Sequence, residues 1–100
     1  MYILLPMDSE NTQEAKLTKL EDVKVWTQLL IENGELVEVN HAKEKDGFEH
    51  FSECAVVEND NEYVWPFIEL SMLVLVAHTQ RTIDDIVEAY LFKELNELAY

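Results

Sequence analysis

Cysteine, glycine, proline and positive charge are the scarce materials of this 100-residue chain, with one, two, two and seven residues respectively. The lone cysteine, Cys54, excludes an intramolecular disulfide and makes a reducing cytoplasm the simplest expected home. Two glycines leave little material for phosphate-cradling loops, which need residues that let the backbone approach closely. Seven Lys and Arg stand against 21 Asp and Glu, a net charge of −14. Such a surface repels nucleic-acid phosphates and anionic membranes, so neither is an expected partner. The longest apolar run, Met72 to Ala77, is far too short to span a bilayer. The opening Met-Tyr-Ile-Leu-Leu-Pro has no basic stretch, so no secretory signal is expected. Nucleophile elbow, Walker loop, dinucleotide fingerprint and zinc-finger spacing are all missing. What remains is binding: of a metal ion, of a basic protein, or of nothing beyond solvent on an acidic face.

A hydrophobic fraction of 48% suffices for one modest core, so residues 1–100 read as one domain. Tyr2 to Leu5 is a short apolar run stopped by Pro6, the pattern of a buried first strand. Val23 to Ile31 is rich in β-branched and aromatic residues and is followed by Asn33-Gly34 and by Leu36 to Asn40. Asn-Gly between two such runs signals a hairpin with a type I′ turn, because that turn needs positive φ at both central residues. A two-residue loop sets Ile31 opposite Leu36 and Leu30 opposite Val37. Apolar residues then fall on both faces, which predicts a hairpin inside a covered sheet. Gly47 to Glu53 is expected to hold one or two helical turns, with Phe48 and Phe51 on one side. Cys54 to Val57 and Met72 to Ala77 read as buried strands, and Glu62 to Leu70 as a short helix with Pro66 near its start. Thr82 caps a last helix with acids in its first turn, and Ile83, Ile86, Val87, Tyr90, Leu91, Leu95 and Leu98 mark its apolar face through residue 98. Late β-α-β-α alternation implies parallel strands with helices packed on the sheet.

Four stretches resemble the dinitrogenase iron–molybdenum cofactor biosynthesis family. Tyr2-Ile-Leu-Leu-Pro-Met-Asp8 looks like its opening strand, which typically ends in Pro-x-Asp. Leu30-Ile-Glu-Asn-Gly-Glu-Leu36 looks like its hairpin. Cys54-Ala-Val-Val-Glu58 sits where the family has a strand leading to a glycine-rich turn, and Met72 to Leu95 looks like its last strand and helix. The resemblance implies a ribonuclease-H-like α/β fold: a mixed β-sheet of about five strands with an early hairpin and helices packed on it. Two departures accompany it. The glycine-rich turn is replaced by Glu58-Asn-Asp-Asn-Glu62, and the family's His-Phe-Gly ahead of the hairpin is replaced by Lys19-Leu20-Glu21.

The densest set of ligand-type residues is Glu49, His50, Glu53 and Cys54. On a helix His50 and Cys54 lie one turn apart on one face, and a thiolate with an imidazole suits zinc, copper or an iron–sulfur species. The plainer reading of the pair is a buried small cysteine beside an exposed histidine. His78 ends the Met72–Ala77 strand, and open α/β sheets bind ligands beyond the carboxyl ends of their strands, so His78, Thr79 and the Asp60–Asn61 loop are expected to converge there. The plainer reading is a strand-end histidine satisfied by a helix or by water. Asp8, Glu58 and Asp84 are candidate acids for two-metal phosphodiester cleavage, a reading opposed by the shortage of positive charge. The leading expectation is a non-catalytic binding protein. It carries a metal cofactor, an iron–sulfur or molybdenum–iron-type cluster, or contacts a protein handling one, through His50, Cys54 and His78, with His50 and Cys54 as metal ligands. The alternative is an acidic protein-interaction module of the same fold that has lost the cofactor site.

Overall fold

The computed structural model describes residues 1–98; Ala99 and Tyr100 lie outside the described residues. Six strands form one mixed sheet. They are β1 (Tyr2–Met7), β2 (Val25–Glu32), β3 (Glu35–Ala42), β4 (Cys54–Val57), β5 (Leu73–Val76) and β6 (Asn96–Glu97), in the order β3-β2-β1-β4-β5-β6. β1, β4 and β5 run parallel to one another, while β2, β3 and β6 pair antiparallel with their neighbours. Two helices complete the fold, α1 (Trp65–Glu69) between β4 and β5, and α2 (Ile83–Leu91) between β5 and β6. Among the described residues no helix is long and apolar enough to cross a membrane.

Side chains alternate across a strand, so β1, β4 and β5 each feed two cores. Ile3, Leu5, Cys54, Val56, Leu75 and Ala77 point to one face and meet Ile83 and Ile86 of α2. Leu4, Ala55, Val57, Val74 and Val76 point to the other and meet Val64 and Phe67 around α1. Pro6 does not end β1. Its carbonyl takes the Thr18 N–H at 2.9 Å on the side away from β2, beyond the last β1–β4 pair at Leu4 and Ala55, so its missing N–H breaks no ladder bond.

The hairpin turn has the expected backbone, with φ of 53° at Asn33 and 78° at Gly34. Its register departs by one residue. Ile31 does face Leu36, but Leu30 faces Glu38, and Val37 is the extra residue of a bulge. β3 is an edge strand whose side chains are all exposed or half-buried, not a covered one; of the two hairpin strands, β2 is the one buried on both faces.

Two helix expectations change. Residues 47–53 carry no helix and form an irregular strap. The buried Gln28 of β2 holds it, its Nε2 donating to the His50 carbonyl and the Ser52 hydroxyl, both at 2.8 Å. α2 begins as predicted, with Thr82 Oγ1 accepting the Asp85 N–H at 3.2 Å. It ends at Leu91 rather than at Leu98. The chain leaves it through Phe92 and Lys93, the latter at φ 58°, and β6 pairs with the free edge of β5. The sheet therefore has six strands instead of five.

Candidate functional site

The sheet separates the two residues predicted to share a metal. Cys54 opens β4 and its side chain is 0% exposed, within the core under α2. Its thiol donates to the Ala55 carbonyl at 3.8 Å. Burial, and then the charge of Glu53, push the thiol up to about 12. His50 belongs to the strap on the α1 face. Its exposed ring stacks on Tyr2 with centroids 4.8 Å apart and planes 15° from parallel. Tyr2 shares the parity of Leu4, Cys54 that of Ile3, and the helix that would have aligned His50 with Cys54 is not formed. His78 lies past the carboxyl end of β5, at the opposite end of the sheet from the start of β4. Among the described residues no group of three His, Cys, Asp or Glu side chains is placed to hold a metal ion.

The carboxyl ends of the parallel strands are crossed by Arg81. Its Nη1 donates to the Ala77 and Gln80 carbonyls, both at 2.8 Å, and its Nη2 to the His78 carbonyl at 3.0 Å. Its Nε lies 3.9 Å from Glu58 Oε2. Asp8 Oδ1 accepts the Lys16 N–H at 2.8 Å, and Asp84 is exposed in the first turn of α2. Asp8 and Glu58 thus have partners of their own within the fold. The Asn59–Glu62 turn closes on itself, the Asn61 N–H donating to Asn59 Oδ1 at 2.8 Å. Burial raises the Glu62 carboxyl above the usual range, opposed by the Leu20 N–H that it accepts at 3.3 Å. Asn59 and Asn61 share one depression with Leu20 and Tyr63, and Thr79 and Gln80 share another with Asp85 and Glu88 of α2.

The opposite end of the sheet is open. There a groove of about 600 Å³ lies between the strap and the chain around α1. Leu4, Phe67 and Met72 form its buried floor. Phe48, Phe51 and Leu70 form its walls, and Lys45, Asp46, Glu49 and His50 its charged rim. Phe51 is 88% exposed and Leu70 55%, so the mouth of the groove is apolar. Reasoning from the sequence missed this site. Its one local signal, the pair Phe48 and Phe51, has the spacing of a helix face and points to a helix that is not formed.

No family model and no curated protein matches the chain. Solved structures do. The crystal structure of PH0822 superposes with a TM-score of 0.74 at 14% identity, over 100% of this chain and 97% of that one. The crystal structure of a Methanocaldococcus jannaschii protein provisionally named a dinitrogenase (mj0327) gives a TM-score of 0.77 at 13% identity, over 99% and 95%. At that identity the likeness speaks for the fold alone. This chain therefore shares the mixed α/β architecture of both proteins along essentially its whole length.

Proposed function

We propose that this chain is a non-catalytic binding module that receives its ligand in the groove at the amino ends of β4 and β5. The observation that carries the reading is that the exposed Phe51 and Leu70 line one groove over a buried apolar floor. Burying a side chain such as Phe or Leu contributes about 1.5–3 kcal/mol, so an occupant of this mouth gains a hydrophobic contact that the free protein lacks. The volume lies within the range of natural ligand pockets. The test uses the neutral dye Nile red. Wild type is expected to blue-shift and brighten its emission, and the double variant Phe51→Ser/Leu70→Ser is expected to lose most of that change. Equal emission from both proteins would remove the groove as a binding site.

The finer family reading belongs here as well. The fold likeness to the M. jannaschii protein supports a ribonuclease-H-like class and a divergent relationship to the dinitrogenase iron–molybdenum cofactor biosynthesis family. With it comes the second function: carriage of a metal cofactor or iron–sulfur-type cluster by His50, Cys54 and His78, in the cytoplasm. That function requires Cys54 to leave the core and reach the strap. Metal analysis of protein purified anaerobically tests it. Cluster retention by wild type and its loss in Cys54→Ser would favour cofactor carriage, whereas equal metal content would remove Cys54 from any site. The geometry favours the protein-interaction alternative, since the groove is already formed and the thiol is not available.

A further inference from the structure

Two polar groups of the groove wall are already engaged within the fold. Both the His50 carbonyl and the Ser52 hydroxyl accept from the Gln28 amide, which ties them to the fold rather than to an occupant. What the groove offers instead is an apolar floor and mouth inside a charged rim, the anatomy of a protein interface core. Charge then decides among protein occupants. The chain carries −14, so a second copy meets like charge across any close contact. A positively charged partner is drawn in by the same field. The sheet edge does not compete for it, because β3 bulges at Val37 and presents Glu35 and Glu38, features that discourage an added strand.

Resting on the groove as the binding site, we propose that it docks a basic amphipathic segment of a partner protein. Apolar side chains of that segment enter between Phe51 and Leu70. Its Lys or Arg residues face Asp46 and Glu49, the acids of a rim that also carries Lys45 and His50. This is the arrangement by which an apolar helical stripe fills a groove while its charged flanks select the partner.

The probes are three synthetic helical peptides with one shared leucine stripe and Lys, Gln or Glu at every other position. Each is titrated by fluorescence anisotropy into the full chain at low and at physiological salt, with amide shifts mapping the contact. The Lys peptide is expected to bind at least about tenfold tighter than the Gln peptide, to shift amides of residues 45–52 and 67–72, and to weaken with salt. The Glu peptide is expected not to bind. Phe51→Ser/Leu70→Ser is expected to weaken the Lys peptide at least about tenfold. Asp46→Asn/Glu49→Gln is expected to weaken the Lys peptide, flatten its salt dependence and leave the Gln peptide unchanged. Phe51 is largely solvated, so Phe51→Ser alone keeps the fold and serves as the control if the double variant unfolds. Equal binding of the Lys and Gln peptides overturns the proposal, as does a Lys peptide indifferent to the groove substitutions, which would show diffuse attraction to an acidic surface. Self-association of wild type that Phe51→Ser abolishes would make a second copy the occupant and overturn it too. Nile red bound in the groove with no Lys-peptide binding overturns this inference while the groove reading stands. Failure of both takes away the groove itself.

Discussion

Cys54 is expected to resist thiol reagents in the native protein and to react at once when the chain unfolds. The perturbation is a pulse of a disulfide reagent such as DTNB, whose target is the thiolate. Burial shifts the thiol from an ordinary 9.0 to about 12. At neutral pH this leaves roughly a thousandfold less thiolate than an ordinary thiol provides. The side chain is also 0% exposed, in a strand paired on both sides by β1 and β5. Reaction must therefore wait for the sheet to open, an event that takes up much of a global stability of about 5 kcal/mol or more. Native labelling is expected to run at least roughly a thousandfold slower than labelling in urea. The same shift has a consequence at alkaline pH. Below pH 9 both folded and unfolded thiols hold their protons and this contribution to stability is fully present. Between 9 and about 12 the unfolded chain ionises first, and stability falls by up to about 1.4 kcal/mol per pH unit. Wild type and Cys54→Ala, compared by urea melts across that range, are expected to differ by this slope. Native labelling as fast as that of a free thiol would refute the reasoning and return Cys54 to the list of metal ligands.

Gly34→Val is expected to lower stability by about 1 kcal/mol or more, read as a lower urea midpoint. Its added Cβ meets nothing within 4 Å, so the penalty is the positive φ alone, and an unmoved midpoint would mean that the hairpin tolerates another turn. Gln28→Leu is expected to destabilise by about 2 kcal/mol, two lost hydrogen bonds at about 1 kcal/mol each, and to dim Nile red in the groove by freeing the strap. Full thermal stability with unchanged dye emission would show that the amide does not hold the strap. Duplex DNA and RNA are expected not to bind at physiological salt, on a chain of net charge −14. A salt-sensitive gel shift would contradict that and revive metal-dependent cleavage through Asp8, Glu58 and Asp84.

The features legible in the sequence are those whose cause is local. Asn33-Gly34 needs only its own two φ angles to make the turn. Thr82 needs only the amide three residues on to start α2. The runs at Cys54–Val57 and Leu73–Val76 declare themselves by composition, because strands buried on both faces need apolar residues at every position, and Val25–Glu32 declares itself by its β-branched and aromatic residues. Even the acidic surface follows directly from counting side chains.

Tertiary structure decided the rest, through partners distant in the chain. Leu95 and Leu98 continue the helical spacing of Ile83 to Leu91, yet they flank a strand and pack into opposite cores, because the open edge of β5 offered hydrogen bonds that a longer helix would have left unused. Phe48 and Phe51 have helical spacing too, but the Gln28 amide from β2 claims the His50 carbonyl and holds that segment irregular. The groove gathers Leu4, the strap and the chain from Phe67 to Met72, three stretches that no local pattern connects. Spacing suggested that His50 and Cys54 were neighbours; strand parity put one on each face of the sheet. A ligand pair is a statement about distance across the fold, and distance across the fold is set by pairing register, which the residues between Glu49 and Cys54 do not by themselves determine.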